Sequence, residues 1–280
     1  MKNVLLPTDF SENSWNAIVY AIQLFKGDAC VFHLLNTYTP AIVHSRFMAV
    51  STEGRLLEDA VHMDSENELK RLLKRISGLN GNPNHSFKTI SSFSLLTEEI
   101  KQSAERLGID LIITGTKGAS GLKEVFLGSN TVRIIKAIRS CPVLAIPASY
   151  PFKKPGEIAL VTDFKRNYDA AMIEPLRQIA QHLDAAVRIM HINEEKHLNK
   201  YQSSNLDILK EYLSDVATSV HWMPYFAGKA KVIKEFSEEF EIDMLAMVNY
   251  KHSFLEEVTR EAVIKKVGFH TQIPLLTLPE

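Results

Sequence analysis

The chain has 280 residues, enough for one large domain or two small ones, and its 45% apolar content is that of an ordinary globular protein. Its 32 lysines and arginines nearly balance 33 aspartates and glutamates, so no general field draws it toward nucleic acid or an anionic membrane surface. The longest apolar runs are strand-sized, too short to cross a bilayer, and Met1-Lys2-Asn3-Val4-Leu5-Leu6-Pro7 enters a strand at once rather than opening a secretory leader, so a cytoplasmic location is the expectation.

Residues 3–6 read as a short buried strand. Pro7-Thr8-Asp9-Phe10-Ser11 is a turn in which Asp9 or Ser11 can cap the next helix. That helix, predicted over 14–25, turns Ile18, Ala21, Ile22 and Phe25 to one side, and Gly27-Asp28 ends it. A second strand over 29–35 carries His33 near its end. The irregular stretch 36–54 holds Tyr38, Ile42, Val43, Phe47, Met48 and Val50, which suit either a loop folded over the core or a flap over a ligand or partner. A charged amphipathic helix over about 55–77 follows, with Glu66, Glu68, Lys70, Arg71, Lys74 and Arg75 on its wet face, and Gly78, Gly81 and Pro83 close it. Residues 86–93 alternate and read as a more exposed strand nearer an edge. A helix over 97–107 stops at Gly108. A buried strand over 110–114, a glycine-rich stretch over 115–129, a helix over 130–138 and a strand over 142–147 complete this half. The alternation of strand and helix gives an α/β class: a parallel sheet with helices on both faces. Cys30 and Cys141 each lie in or beside an apolar run and read as buried, reduced thiols.

The stretch Gly115-Thr116-Lys117-Gly118-Ala119-Ser120-Gly121-Leu122-Lys123-Glu124-Val125-Phe126-Leu127-Gly128-Ser129 joins a strand's carboxyl end to a helix's amino end. Such a place suits anions. Glycines let the backbone approach closely and adopt positive φ, and the first N–H groups of a helix point outward unpaired. In an open α/β sheet, ligands bind outside the carboxyl ends of the strands.

After a short, basic, proline-rich linker at 150–155 the pattern begins again, dividing the chain into domains 1–149 and 156–280. Val161-Thr162-Asp163-Phe164 echoes Pro7-Thr8-Asp9-Phe10, and Ile189-Met190-His191-Ile192 echoes Val31-Phe32-His33-Leu34. Ile242-Asp243 echoes Ile109-Asp110, and Ile273-Pro274-Leu275-Leu276 echoes Cys141-Pro142-Val143-Leu144. From His33 to Asp110 is 77 positions but from His191 to Asp243 only 52, so the second copy has lost most of the irregular stretch and part of the long helix. Counting from the matched aspartates, Gly115 falls on Val248, Gly118 on Lys251, Gly121 on Phe254 and Gly128 near Arg260 or Glu261. Side chains stand where a phosphate would need bare backbone, and the second half reads as a non-binding copy.

The first half resembles a universal stress protein. The residues that carry this are Pro7-Thr8-Asp9-Phe10-Ser11 and the pattern of Gly115, two residues, Gly118, nine residues, then Gly128-Ser129, followed by the Pro142-Val143-Leu144 strand. With the duplication, the resemblance covers the whole chain as a tandem form. It implies two tandem Rossmann-like domains, each a five-stranded parallel sheet in order 3-2-1-4-5, packed as a pseudo-twofold pair along the fifth strands, 143–147 and 275–279. It implies a stress-response protein that holds ATP or a related adenine nucleotide, with or without Mg2+ on the phosphates, between strands one and four of the first domain. Pro7, Thr8 and Asp9 match the turn on the adenosine side, and Leu34 matches the residue whose backbone meets adenine. Gly115, Gly118, Gly128, Ser129 and Asn130 match the phosphate and ribose contacts. Lys117 lies outside that signature and is a phosphate neighbour on charge grounds alone. The resemblance implies a regulator acting on an unnamed protein partner rather than a fast catalyst. An interaction module with a vestigial loop, or a weak ATPase, is the alternative, and a homodimer beyond the pseudo-dimer is left open.

Each singled-out residue also has a plainer reading. The glycine stretch can be a flexible connection. Asp9 can be a turn residue, since Asp163 persists in a copy without the glycines. Lys117 can be a solvated charge, and Ser129 can be an N-cap. His33 and His191 each read as hydrogen-bonded packing residues, without the spacing of metal ligands.

Overall fold

The computed structural model describes residues 1–38, 52–79, 81–116, 128–193, 197–225, 228–250 and 272–280. The first half runs β1 (Lys2–Pro7), α1 (Glu12–Leu24), β2 (Cys30–Tyr38), α2 (Thr52–Ser77), β3 (His85–Phe93), α3 (Leu96–Leu107), β4 (Leu111–Gly115), α4 (Ser129–Ala137) and β5 (Val143–Ile146). The second runs β6 (Glu157–Val161), α5 (Ala170–Leu183), β7 (Ala186–Asn193), α6 (Lys200–Tyr212), β8 (Thr218–Pro224), α7 (Lys229–Glu239), β9 (Met244–Val248) and β10 (Leu275–Leu278).

The central strands are short apolar runs buried on both faces, as parallel strands flanked by helices must be. They form one ten-stranded sheet in the order β3-β2-β1-β4-β5-β10-β9-β6-β7-β8. Each half thus repeats the order 3-2-1-4-5, and the halves meet edge to edge. Leu275, Leu276 and Thr277 pair antiparallel with Ala145, Leu144 and Val143, while the other neighbours in the sheet are parallel. The expected junction along the fifth strands is formed. The exposed third strand is an edge of the sheet, as its alternation suggested.

Successive residues of β1 point to opposite faces. Val4 and Leu6 join Ile18 and Ala21 of α1 and Leu69 and Ile76 of α2 in one core. Leu5 joins Ile100 of α3 and Ile134 of α4 in the other. Ile173 of α5 and Leu206 of α6 lie on the α1/α2 face, and Val232 of α7 lies on the α3/α4 face. Antiparallel pairing with matching helices on the same face places an approximate twofold axis normal to the sheet. The carboxyl ends of the parallel strands in the two halves therefore open at opposite edges.

β2 runs past the expected limit of 35 to Tyr38, whose hydroxyl bonds to His62 Nδ1 at 2.7 Å, so Tyr38 belongs to the sheet and not to the irregular stretch. Of the rest of the proposed flap, 39–51 lies outside the described residues and 52–54 begins α2. The pairing of His33 with His191 as equivalents is corrected by the register. Pro7 stands opposite Leu35 and Val161 opposite Met190, so the residue equivalent to His191 is Asn36. Their chemistry agrees: Asn36 Nδ2 donates to Thr8 O at 2.8 Å and His191 Nδ1 to Thr162 O at 3.0 Å. An amide and an imidazole fill one role that residue type alone does not reveal. His33 instead meets Asn3 Oδ1 at 3.3 Å, as a packing residue.

The Ile-Asp echoes mark a clamp used twice. Asp110 N donates to Asn3 O and Asn3 N to Asp110 Oδ2, tying the start of β4 to the start of β1. Asp243 N donates to Glu157 O, and Asp243 Oδ2 accepts from Gly156 N at 2.8 Å and Glu157 N at 3.2 Å. Lys153 reaches the other Asp243 oxygen at 2.6 Å, and Tyr20 of α1 packs against Tyr150 and Phe152, so the connection between the halves is held at several points. Both cysteines are free and buried, and burial pushes each thiol up to about 11.

Asp243→Ala leaves the N–H groups of Gly156 and Glu157 without their acceptor, and a loss of about 1–3 kcal/mol is expected in urea unfolding. Burial, and secondly Lys88, hold His33 below its ordinary 6.5. A histidine depressed in the native state takes up its proton on unfolding. Its contribution is therefore complete above about pH 6.5 and fades as the pH falls through its native value. Thermal unfolding midpoints should drop from about pH 7 to about pH 5, and His33→Gln should flatten that slope; an unchanged slope would remove His33 from the account.

Candidate functional site

The strand order reverses between β1 and β4, because α1 returns across one face and α4 across the other. In open α/β sheets that reversal is where ligands bind, in a crevice outside the carboxyl ends of the two strands. Pro7, Thr8 and Asp9 come to it from β1, Gly115 and Thr116 from β4, and Gly128, Ser129 and Asn130 from the start of α4.

The turn after β1 is built from its own side chains. Thr8 N donates to Leu35 O at 2.8 Å, and Thr8 Oγ1 accepts from Phe10 N at 3.0 Å. Asp9 Oδ1 accepts from Ser11 N at 3.1 Å and from Ser11 Oγ at 2.6 Å. Ser11 Oγ in turn accepts from Ser14 N as the N-cap of α1. The turn forces Phe10 to φ 62, a left-handed conformation costly for a residue with a Cβ. The second half repeats the turn but not the cap, which Asp169 supplies to α5 further along. Phe164 has φ 55, its N–H bonds to Thr162 Oγ1 at 3.2 Å, and Asp163 Oδ1 accepts from Lys165 N at 2.9 Å. Asp9 and Asp163 therefore share a turn-forming role, while the Asp9 side chain also stays exposed at the crevice. Asn36, absent from the sequence-based set, supports the turn from behind: its Oδ1 accepts from Ser65 Oγ at 2.8 Å, and Ser65 contacts Ser91. No motif marks it; only register does.

Gly115 has a packing reason of its own. A Cβ built there would lie 2.3 Å from Asn13 Nδ2 and 2.9 Å from the Asn13 carbonyl oxygen, so the glycine lets α1 lie directly against the end of β4. Thr131 Oγ1 donates to Gly115 O at 2.8 Å and ties the first turn of α4 to the same strand end. Gly128 N donates to Thr116 O, so the residues on either side of 117–127 are held together. Lys117 and Gly118 lie outside the described residues. Ser129 is not the N-cap expected of it. Gly128 holds that position with extended backbone, φ −56 and ψ 153, no described side chain caps it, and Ser129 is already helical. Among the described residues no side chain caps the first N–H groups of α4.

Leu34 is fully buried and stands opposite Leu6, one step inside the level of Pro7. Its side chain belongs to the core, so only its backbone is available to a ligand.

The equivalent region of the second half carries bulkier side chains among its described residues. The connection from β6 to α5 runs from Thr162 to Asp169, twice the length of Thr8 to Ser11. It brings in Tyr168, buried, whose hydroxyl meets Thr162 Oγ1 where Ser14 meets Thr8. Tyr250, two residues beyond Val248, bonds through its hydroxyl to Asn167 O at 3.1 Å and Met172 Sδ at 3.3 Å, with Arg166 over its ring. Lys251, Phe254, Arg260 and Glu261 lie outside the described residues.

Gly115→Ala should cost about 1–3 kcal/mol, because the new methyl meets the Asn13 carbonyl oxygen as well as the buried Asn13 side chain, so turning that side chain away does not relieve the clash. Thermal denaturation measures it; a variant as stable as the parent would show that α1 can withdraw freely.

The family model described as "Universal stress protein family" matches residues 1–147. Universal stress protein MJ0531 of Methanocaldococcus jannaschii is 31% identical over 148 residues, covering 52% of this chain and 81% of that protein. Universal stress protein MJ0577 of the same organism is 27% identical over 157 residues, covering 52% and 94%. Among solved structures, a universal stress protein from Archaeoglobus fulgidus is similar over 99% of this chain and 98% of its own, with a TM-score of 0.72 at 17% identity, a likeness of fold along the full length.

Proposed function

Because the chain belongs to the universal stress protein family, we propose that its amino-terminal domain, residues 1–149, binds ATP or a related adenine nucleotide and uses it as a regulatory signal in a cytoplasmic stress response. The observation that carries this reading is the amino end of α4, which no described side chain caps and which Thr131 and Gly128 bring to the end of β4 beside the Thr8-Asp9 turn. Backbone N–H groups and the helix dipole at that end suit a phosphate chain. Gly128 leaves the backbone there without a side chain, and Gly118 and Lys117 would complete the cradle. Mg2+ would enter on the phosphates as part of the ligand. The Thr8-Asp9 turn and the Leu34 backbone would face the adenosine.

Slow turnover is part of the proposal. The Asp9 carboxylate oxygen nearest the chain is engaged by Ser11, which suits holding a turn better than taking a proton from water. The carboxyl-terminal domain, 156–280, is proposed to bind no nucleotide, because Tyr168 and Tyr250 stand around its Thr162 turn in place of small residues, and to act as a fixed partner of the first. A protein partner would read the nucleotide state.

Calorimetric titration with ATP, together with mass spectrometry of small molecules that copurify with the protein, tests the reading. Saturable binding at about one nucleotide per chain, lost in Gly118→Asp and in Gly128→Val, is expected. Equal behaviour of those variants and the parent would leave an interaction module with a vestigial loop. Phosphate release well above background and abolished by Asp9→Asn would make the protein an ATPase instead.

A further inference from the structure

We infer that Asn249, in the second half, is a positioning residue for the phosphate end of the site in the first half; the inference rests on the nucleotide reading above. α4 has nine residues, about 13 Å of helix, so it behaves as one rigid piece and what fixes its carboxyl end also fixes its amino end. The last carbonyls of a helix have no partner within it. Ile138 N serves Ile134 O, and the next carbonyl, Ile135 O, is served from the other half: Asn249 Nδ2 donates to it, and reaches Ile138 O at 3.5 Å.

Asn249 is itself held firmly. It is 5% exposed, its N–H donates to Leu278 O at 2.9 Å, and its carbonyl accepts from Arg139, which also meets Glu280 at 3.3 Å. Thr116 N donates to Ile146 O at the same 2.9 Å, so Asn249 and Thr116 are equivalent positions, each the first residue beyond its strand. In the first half that position is buried at the end of β4, just before the glycine-rich stretch. In the second it is turned across the junction onto the back of α4. The twofold arrangement makes this possible, because the carboxyl end of β9 lies beside the carboxyl end of α4. The second half thereby sets where the α4 amino end points, and nucleotide affinity is coupled to the intactness of a half that holds no nucleotide.

Three readouts on the full-length protein test this. Asn249→Leu removes the donor at similar size. Thr277→Val is the control, since it removes a buried bond of the same junction, Thr277 Oγ1 to Val143 O, without touching α4. ATP affinity should fall about tenfold in Asn249→Leu. Adenosine affinity should stay within about twofold, and Thr277→Val should leave both ligands within about twofold. Amide hydrogen exchange without ligand should rise in α4 and not in α3. Equal loss of ATP and adenosine, an equal effect of Thr277→Val, or unchanged α4 exchange would each overturn the positioning role. A flat ATP titration of the parent chain would instead overturn the nucleotide reading on which the inference stands, and is distinguishable because it precedes any substitution.

Discussion

The strands Val143–Ile146 and Leu275–Leu278 carry Thr277 as their single polar side chain, and every one of their residues is buried. Each would be a bare edge if its half stood alone, offering unpaired backbone and an apolar surface to any passing strand. Pairing them antiparallel removes both edges at once and leaves the sheet to end at β3 and β8, which are longer and partly polar. The rest follows from that pairing. It sets the approximate twofold axis, puts α1, α2, α5 and α6 on one face, and lays the back of α4 against the end of β9.

Within this frame the halves solve the same local problem with different means. In each, a Thr-Asp-Phe turn leaves the first strand through a left-handed phenylalanine, and a side chain at the end of the second strand holds the threonine carbonyl. In the first half α1 begins at once and lies so close to β4 that only a glycine fits. In the second, a longer connection starts α5 later, a valine is accommodated at the end of β9, and tyrosines take up the space. Bare backbone and a short turn belong together, as do bulk and a long one.

Much of this was legible in the sequence because it rests on local rules. Buried apolar runs gave the strands, Gly108 the left-handed stop of α3, Ser11 the cap of α1, and the echoed Ile-Asp and Pro-Val-Leu/Pro-Leu-Leu segments the duplication, while the strand order came from the family resemblance. What was not legible depends on register or on distant partners. His33 and His191 share a residue type, yet the hydrogen bond belongs to Asn36 and His191, and only strand pairing reveals the three-residue difference. Ser129 has the chemistry of an N-cap, but Gly128 already occupies the extended position. Arg75, read as part of a wet face, lies over the Trp15 ring and pairs with Glu12, tying α2 to α1. Asn249 carries no motif at all; its role exists only because another half of the chain presents a carbonyl to it.

Cys30 and Cys141 both lie in the first half, and both are buried with their thiolates disfavoured. A thiol reagent added from outside meets little it can modify while that half stays closed, since the thiolate is the reactive form. Alkylation therefore reports the opening of one half and is blind to the other. The sequence supplies this one-sided clock without any engineering, and it can time whether the amino-terminal half breathes by itself or only when the whole sheet comes apart.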